Sequence, residues 1–302
     1  MSFEYLTNQV VYKNNLTYNR IKQNQGGSDM KRKKIWGILA MAVLTGSLFA
    51  GCKGADPKVE ITEKGQEDKQ EELLIAAAAS LEYSYEEELI PMFEEQNPGI
   101  TVKGTYDSSG KLQTQIEEGI PADVFMSAAT KQMDALSDQG LVESDSVVDL
   151  LENQIVLITG ADSSLELQKF ADITKANVIA IGDPESVPVG QYAKEVLTNL
   201  GIWEAVSAKA SLGTNVTEVL KWVEEGSAEA GIVYATDAAT TDQVNVVAQA
   251  PKDSLAEPAV YPVGVVSASK HKEAAEKFVE FLQSEEAIKV FESYGFEKHV
   301  KS

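Results

Sequence analysis

Small polar residues recur where a strand of the sequence pattern gives way to a helix. Ser80 follows the apolar run 73–79, and Ser109 follows the alternating run 100–106. The first turn of a helix leaves backbone N–H groups without intrahelical acceptors, and serine hydroxyls add further donors. Such turns meet beyond the carboxyl ends of the strands in an open α/β sheet, so together they predict a cage of neutral donors for a compact anion. The turns concerned are Ser80, 108–110, 127–129, 187–190 and 215–216.

The competing interpretation of each turn is structural. A serine before a helix is, taken alone, most often an N-cap. Several such turns on one topological edge, in a chain without a catalytic set, favour a shared anion site. The chain has two histidines, His271 and His299, and one cysteine, Cys52. These numbers argue against histidine-driven catalysis and exclude a disulfide framework and a cysteine-based zinc site.

The elements that would position these turns alternate between strands and helices from residue 73 onward. This order predicts an α/β fold with mainly parallel sheets, in two lobes because about 230 residues are many for one sheet. We predict lobe 1 over 73–153 plus 250–302 and lobe 2 over 154–249. The predicted strands are 73–79, 100–106, 123–126, 154–159, 178–181, 231–234, 245–248 and 260–267. The predicted helices are 81–96, 112–116, 131–139, 190–200, 215–225, 272–283 and 285–293.

The front of the chain has the pattern of a secretion signal. The basic segment 30–34 precedes the uncharged apolar stretch 35–48, which is too short to span a bilayer comfortably. The stretch ends in Leu-Phe-Ala-Gly-Cys at 48–52, which resembles the lipobox of bacterial lipoproteins. A signal peptide over 30–52 with a lipidated Cys52 is therefore predicted; the alternative is a free cysteine after a signal anchor.

Two segments flank this signal. Segment 25–29 includes Gly-Gly, which is what a ribosome-binding sequence would encode if it were translated. We therefore expect Met30 to be the true start and residues 1–29 to be non-native. Segment 53–72 is rich in Lys, Glu, Asp and Gly and predicts a flexible linker. Lipid and linker together place the folded part at the cell membrane, on its extracytoplasmic face.

The net charge of the chain limits the kinds of partner that it can bind. The 302 residues carry a net charge of −21, and from Lys53 onward 19 Lys stand against 45 acidic residues, a net −26 with no Arg. Such a surface argues against nucleic acid as a partner. The lack of Arg argues against carboxylate or amino-acid ligands, which bidentate Arg commonly clamps.

Five motifs in order resemble the molybdate-binding proteins of ABC importers. The resemblance covers 73 to about 297 and implies a two-lobe fold of the periplasmic-binding-protein type II class, with the ligand cleft and a hinge between the lobes. The motifs are 76–81 (AAAASL), 106–112 (YDSSGKL), 119–128 (GIPADVFMSA), 182–194 (GDPESVPVGQYAK) and 231–238 (GIVYATDA).

The resemblance also implies a set of ligand-binding residues and a function. Ser80 and Ser109 would donate hydroxyls, Val189 and Val216 backbone N–H groups, and Tyr234 its phenol, to molybdate or tungstate. The metal would arrive inside the oxyanion, without direct metal ligands and without a cofactor. A monomeric lipoprotein feeding an ABC importer permease is expected, with no enzymatic step.

Three alternatives stay open from the sequence. The first is a binding protein of the same fold for another oxyanion, such as sulfate or phosphate. Hydrogen phosphate carries a proton, so it would need an acceptor such as Asp107. A hydrolase built on Ser80 or Ser109 would need a base, for which Lys111 is the only nearby candidate. A structural or adhesive lipoprotein is favoured only if no small ligand binds.

Overall fold

The computed structural model describes residues 70–300, which form two α/β lobes, each built on one sheet. Lobe 1 carries six strands in the order β11-β4-β10-β3-β1-β2, and lobe 2 five strands in the order β7-β6-β8-β5-β9. The strands are β1 Glu71–Ala78, β2 Ile100–Asp107, β3 Val124–Met126, β4 Val148–Asn153, β5 Ile155–Gly160, β6 Ile179–Gly182, β7 Ala210–Gly213, β8 Ala230–Tyr234, β9 Val244–Gln249, β10 Ala259–Val265 and β11 Glu297–Lys298.

Helices cover the faces of both sheets. The first, α1, is a continuous helical segment over 79–96, and the others are α2 Ser109–Glu117, α3 Thr130–Asp138, α4 Pro188–Asn199, α5 Trp203–Ser207, α6 Val216–Glu224, α7 Ala235–Ala238, α8 Lys272–Leu282 and α9 Glu285–Ser293. Inside α1, a π-helical turn over Tyr85–Leu89 comes directly before the α-helical stretch Ile90–Gln96, which carries Pro91. Pro91 has no N–H to donate to the preceding turn, which accounts for a distortion of the helix at this place.

The sheets are mixed, which corrects the expectation of mainly parallel sheets. Strand β1 pairs in parallel with β2 and β3, and β6 with β7 and β8. Strands β5 and β10, which follow the crossings between the lobes, are antiparallel to their neighbours. A strand that enters a lobe from the other one arrives from the cleft side, so it runs opposite to the strands whose carboxyl ends face the cleft.

The chain crosses between the lobes twice. It leaves β4 at Asn153 and begins β5 at Ile155, and it returns between Gln249 and Ala259. The buried apolar residues form one large cluster that spans both sheets, and a smaller one under α2 and α3 around Phe125.

Several elements differ from the sequence prediction. Strand β4 was not predicted because Asp149 and Glu152 interrupt its apolar residues, and its pairing with β10 and β11 defines it. The linker ends earlier than 72, since β1 starts at Glu71, paired with Ile100. Residues 1–29, the signal segment 30–52 with Cys52, and the linker up to 69 lie outside the described residues.

Candidate functional site

Both lobes place the carboxyl ends of parallel strands at one cavity between them. In lobe 1 the register aligns Ala78 of β1 with Asp107 of β2, and Ala77 with Met126 of β3, so the turns after these three strands are neighbours. In lobe 2 the parallel strands β6, β7 and β8 likewise bring the turns that follow them next to one another. The cavity is lined by Ala78, Ala79, Ser80, Asp107, Ser108, Ser109, Ala128, Val187, Pro188, Val189, Val216 and Tyr234.

The lobe 1 wall offers serine hydroxyls at the start of α2. Ser109 is the first residue of α2 and is 1% exposed. Its Oγ accepts a hydrogen bond from the Ala128 N–H at 3.0 Å, which leaves the hydroxyl proton available to a ligand. Ser80 lies one residue into the helical segment after β1, and its Oγ is 2.9 Å from Tyr261 Oη.

The lobe 2 wall offers two helix N-termini. Val187 is the N-cap of α4 and Pro188 its first residue, so the Val189 N–H has no intrahelical acceptor. Val216 is the first residue of α6, after the N-cap Asn215, whose side chain accepts from the Glu218 N–H at 2.9 Å. These two helix starts, with that of α2, bring the positive ends of three helix dipoles to one cavity.

A glycine permits this placement of α4. A Cβ on Gly190 would lie 2.1 Å from the Gly182 carbonyl oxygen, so only glycine lets the first turn of α4 approach the end of β6.

Tyr234 supplies the phenol from the end of β8. It is 2% exposed, and its Oη donates to the Ala128 carbonyl at 3.2 Å. Burial raises the pKa of Tyr234 well above its ordinary value, with a further contribution from Tyr261, so the phenol stays a protonated donor. The Tyr234 N–H donates to Asp237 Oδ2 at 3.2 Å, and burial raises the pKa of Asp237 to about 7.

A chain of hydrogen bonds leads from the cavity to the crossing between the lobes. Tyr261 Oη contacts Ser80, and it accepts from Asn153 Nδ2 at 3.1 Å. Asn153 Nδ2 also donates to Thr236 Oγ1 of lobe 2 at 2.8 Å. Asn153 is the last residue of β4, so the orientation of the Ser80 hydroxyl is tied to the crossing segment.

The two lobes touch around the cavity. The Gly110 N–H of lobe 1 donates to the Ser186 carbonyl of lobe 2 at 3.0 Å. Asn215 Nδ2 donates to Asp107 Oδ1 at 3.3 Å from the opposite side. Asp107 Oδ1 also accepts from the Ser108 N–H at 2.8 Å and from Lys111 Nζ at 3.2 Å. The one carboxylate on the cavity wall is therefore already engaged by three donors.

The five residues that the sequence predicts as ligand donors, Ser80, Ser109, Val189, Val216 and Tyr234, all line this one cavity. The sequence placed Ser108 and Ala128 in turns of the predicted cage without a role of their own, and it missed Tyr261 and Asn153. Nothing in the sequence near Tyr261 shows that its hydroxyl contacts Ser80. The contact of Asn153 with Thr236 joins residues 83 positions apart, which no local pattern reveals.

Within residues 70–300, no three His, Cys, Asp or Glu side chains are grouped so that they could hold a metal ion. None of the helices in that range is long and apolar enough to cross a membrane.

Comparison with known proteins places the chain in a family. Residues 73–297 match the model of bacterial extracellular solute-binding proteins. YvgL of Bacillus subtilis, named as an ABC transporter substrate-binding lipoprotein, is 39% identical over 263 residues, covering 87% of this chain and 98% of that one. The molybdate-binding protein ModA of Haemophilus influenzae is 39% identical over 209 residues, covering 68% and 82%.

A solved structure agrees with these relatives. The substrate-binding domain named for a molybdenum ABC transporter of Clostridium difficile is 42% identical, with a TM-score of 0.60, over 76% of this chain and 99% of that one. The match of the family model over most of the chain and the level of identity lead to one assignment: the chain belongs to the family of bacterial extracellular solute-binding proteins.

Proposed function

We propose that this protein captures molybdate, and tungstate with it, outside the cytoplasmic membrane and delivers it to an ABC importer. The observation that carries the proposal is that five residues expected to be donors line one cavity: Ser80, Ser109 and Tyr234 with hydroxyls, and Val189 and Val216 with N–H groups. The Tyr234 hydroxyl, which donates to the Ala128 carbonyl in this structure, would turn to the anion when the ligand binds. Relatives named for molybdate binding or molybdenum transport support this cargo.

The chemistry of the wall favours a fully deprotonated oxyanion. Molybdate at neutral pH carries no proton, so it only accepts hydrogen bonds, which suits a wall of donors. Hydrogen phosphate carries a proton and needs an acceptor as well. Asp107 is the carboxylate available, and the Ser108 N–H, Lys111 and Asn215 already occupy its Oδ1.

The acidity of the whole chain does not oppose anion binding at this site. Helix dipoles act within about one turn of the cavity, whereas surface charges beyond a Debye length of about 8 Å are largely screened. The nearest cation, Lys111, is paired with Asp107.

An enzyme built on the cavity serines lacks support. The hydrolase alternative needs Lys111 as a base, but its Nζ is paired with Asp107 Oδ1 at 3.2 Å. The named relatives are binding proteins of transport systems, not enzymes.

The lobes would close on the anion by a hinge near 152–155 and 248–251, where the chain passes between the sheets. Lipid on Cys52 and the linker 53–72 would keep the binding lobes at the membrane surface near the permease. Exchange of Cys52 for Ser should then release the chain from membranes, which fractionation of cells would detect; retention of that variant in the membrane fraction would contradict the anchor.

Calorimetric titration of the purified full chain with molybdate, tungstate, sulfate and phosphate tests the cargo. We expect tight binding of the first two and weak binding of sulfate. Ser109→Ala removes a hydrogen bond to a charged ligand, so the affinity for molybdate should fall about 10- to 100-fold.

Ser293→Ala is the matched control for this variant, because its Oγ donates only to the Val290 carbonyl at the end of α9, away from the cavity. Tight binding of sulfate or phosphate would mean that another oxyanion is the cargo, while the assigned fold would stand. Absence of binding to all four anions would overturn the proposal.

A further inference from the structure

Ser108 has a buried hydroxyl that the structure leaves without a hydrogen-bond partner. The residue is 4% exposed and lines the cavity between the lobes. Three other buried side-chain atoms in residues 70–300 also lack a partner, on Gln132, Ser137 and Gln191, but none of those residues lines the cavity. Since buried polar atoms are nearly always hydrogen-bonded, a lone hydroxyl at a cavity wall indicates a partner that enters the cavity.

The hydroxyl of Ser108 does not cap the helix that it precedes. Ser108 is the N-cap of α2, a position from which a serine side chain normally accepts from the N–H two or three residues later, here Gly110 or Lys111. The Ser108 side chain makes no such bond, and the Gly110 N–H donates to the Ser186 carbonyl of lobe 2. The hydroxyl is therefore not engaged by the helix start.

The other polar side chains on the wall are already partnered. Ser80 contacts Tyr261, Ser109 accepts from Ala128, Tyr234 donates to the Ala128 carbonyl, and Asp107 accepts from three donors. We infer that Ser108 is a further ligand-binding residue, whose hydroxyl donates a hydrogen bond to an oxygen of the bound oxyanion. The inference rests on the proposed function and adds a donor that the five predicted residues do not include.

Two consecutive serines would then act on the same ligand from the start of α2. The Ser109 oxygen already accepts a hydrogen bond from the Ala128 N–H, so its hydroxyl would act toward the anion as a donor. Ser108 has no such restraint. Its hydroxyl can rotate to whichever ligand oxygen lies nearest, and it contributes to affinity without fixing the orientation of the anion.

The test compares Ser108→Ala with Ser137→Ala in the full chain. Both substitutions remove a buried, unpartnered hydroxyl, but only Ser108 lines the cavity. Calorimetry with molybdate should show an affinity about 10- to 100-fold lower for Ser108→Ala and unchanged for Ser137→Ala. The melting temperature without ligand should equal that of the wild-type protein in both variants, since neither hydroxyl makes a bond within the protein.

Three outcomes would overturn the inference. Unchanged molybdate affinity in Ser108→Ala would show that the hydroxyl does not reach the ligand. A lower melting temperature with unchanged affinity would show that the side chain caps α2 in solution. Equal weakening in Ser137→Ala would show an indirect effect. In all three the wild-type protein binds molybdate and the proposed function stands, whereas a wild-type protein that binds none of the four anions would overturn both.

Discussion

Gly110→Ala tests whether the contact between the lobes belongs to the ligand-bound state. A Cβ at this position would lie 2.3 Å from the Ser186 carbonyl oxygen and 2.9 Å from its carbonyl carbon. Real Cβ contacts essentially never fall below 3.0 Å, so Ser186 and the start of α4 must retreat by at least 0.7 Å. The Gly110 hydrogen bond to Ser186 would be lost with this movement.

The expected loss of molybdate affinity follows from hydrogen-bond geometry. With the anion held by the lobe 1 wall, its bonds to the N–H groups of Val189 and Val216 on the lobe 2 wall would lengthen from about 2.9 Å to about 3.6 Å, beyond a useful hydrogen bond. Loss of two bonds to a charged ligand, at about 1.5 kcal/mol or more each, lowers the molybdate affinity about 100-fold or more. The fold should be unharmed, since Ala is favoured over Gly in a helix by about 1 kcal/mol.

Calorimetry with molybdate and thermal melting without ligand separate these effects. Gly99→Ala is the matched control, because nothing lies within 4 Å of its Cβ position and it needs no positive φ. Molybdate affinity in Gly110→Ala within a few-fold of the wild type would refute the reasoning, because it would mean that the anion binds without this contact.

Two more predictions concern neighbours of the cavity. Asn215→Ala removes the N-cap bond to the Glu218 N–H and the bond to Asp107, so the unfolding free energy should fall by about 1 kcal/mol and the molybdate affinity should fall as well. Asp237→Asn should stabilise the protein at neutral pH, because burial raises the pKa of Asp237 from its usual 3.8 to about 7. Between about pH 4 and 7 the folded state therefore binds this proton and the unfolded state releases it. As the pH rises through that window, the unfolding free energy of the wild type falls by up to about 4 kcal/mol relative to that of the variant. Urea unfolding at several pH values measures this difference.

Matched variants control both experiments. Ser284 caps α9 as Asn215 caps α6, accepting from the Ala287 N–H at 3.1 Å, so Ser284→Ala should cost similar stability and leave the affinity unchanged. Equal affinities for Asn215→Ala and the wild type would count against the role of this turn. Asp172 has its pKa lowered by the Gln168 N–H, so Asp172→Asn should show the opposite pH trend. A stability difference in Asp237→Asn that does not vary with pH would contradict the burial argument.

The sequence by itself determined the elements and the donors that belong to local turns. The apolar run of β1, the N-cap Asn215 and the Pro188 start of α4 each act within a few residues, so their helices and strands are predictable from neighbours along the chain. The turns predict exposed N–H groups at the helix starts, whereas the assignment of the five donors is what the resemblance to molybdate-binding proteins implies.

Tertiary structure alone decided how those turns meet. Strand β4, with acidic residues among its apolar ones, is defined by its pairing with β10 and β11, and the antiparallel direction of β5 and β10 follows from the crossings between the lobes. Ser80 contacts Tyr261 across 181 residues, and the N–H of Gly110, at the start of α2, bonds to Ser186 in the other lobe. These roles depend on distances between residues remote in sequence, which periodicity and turn chemistry do not encode.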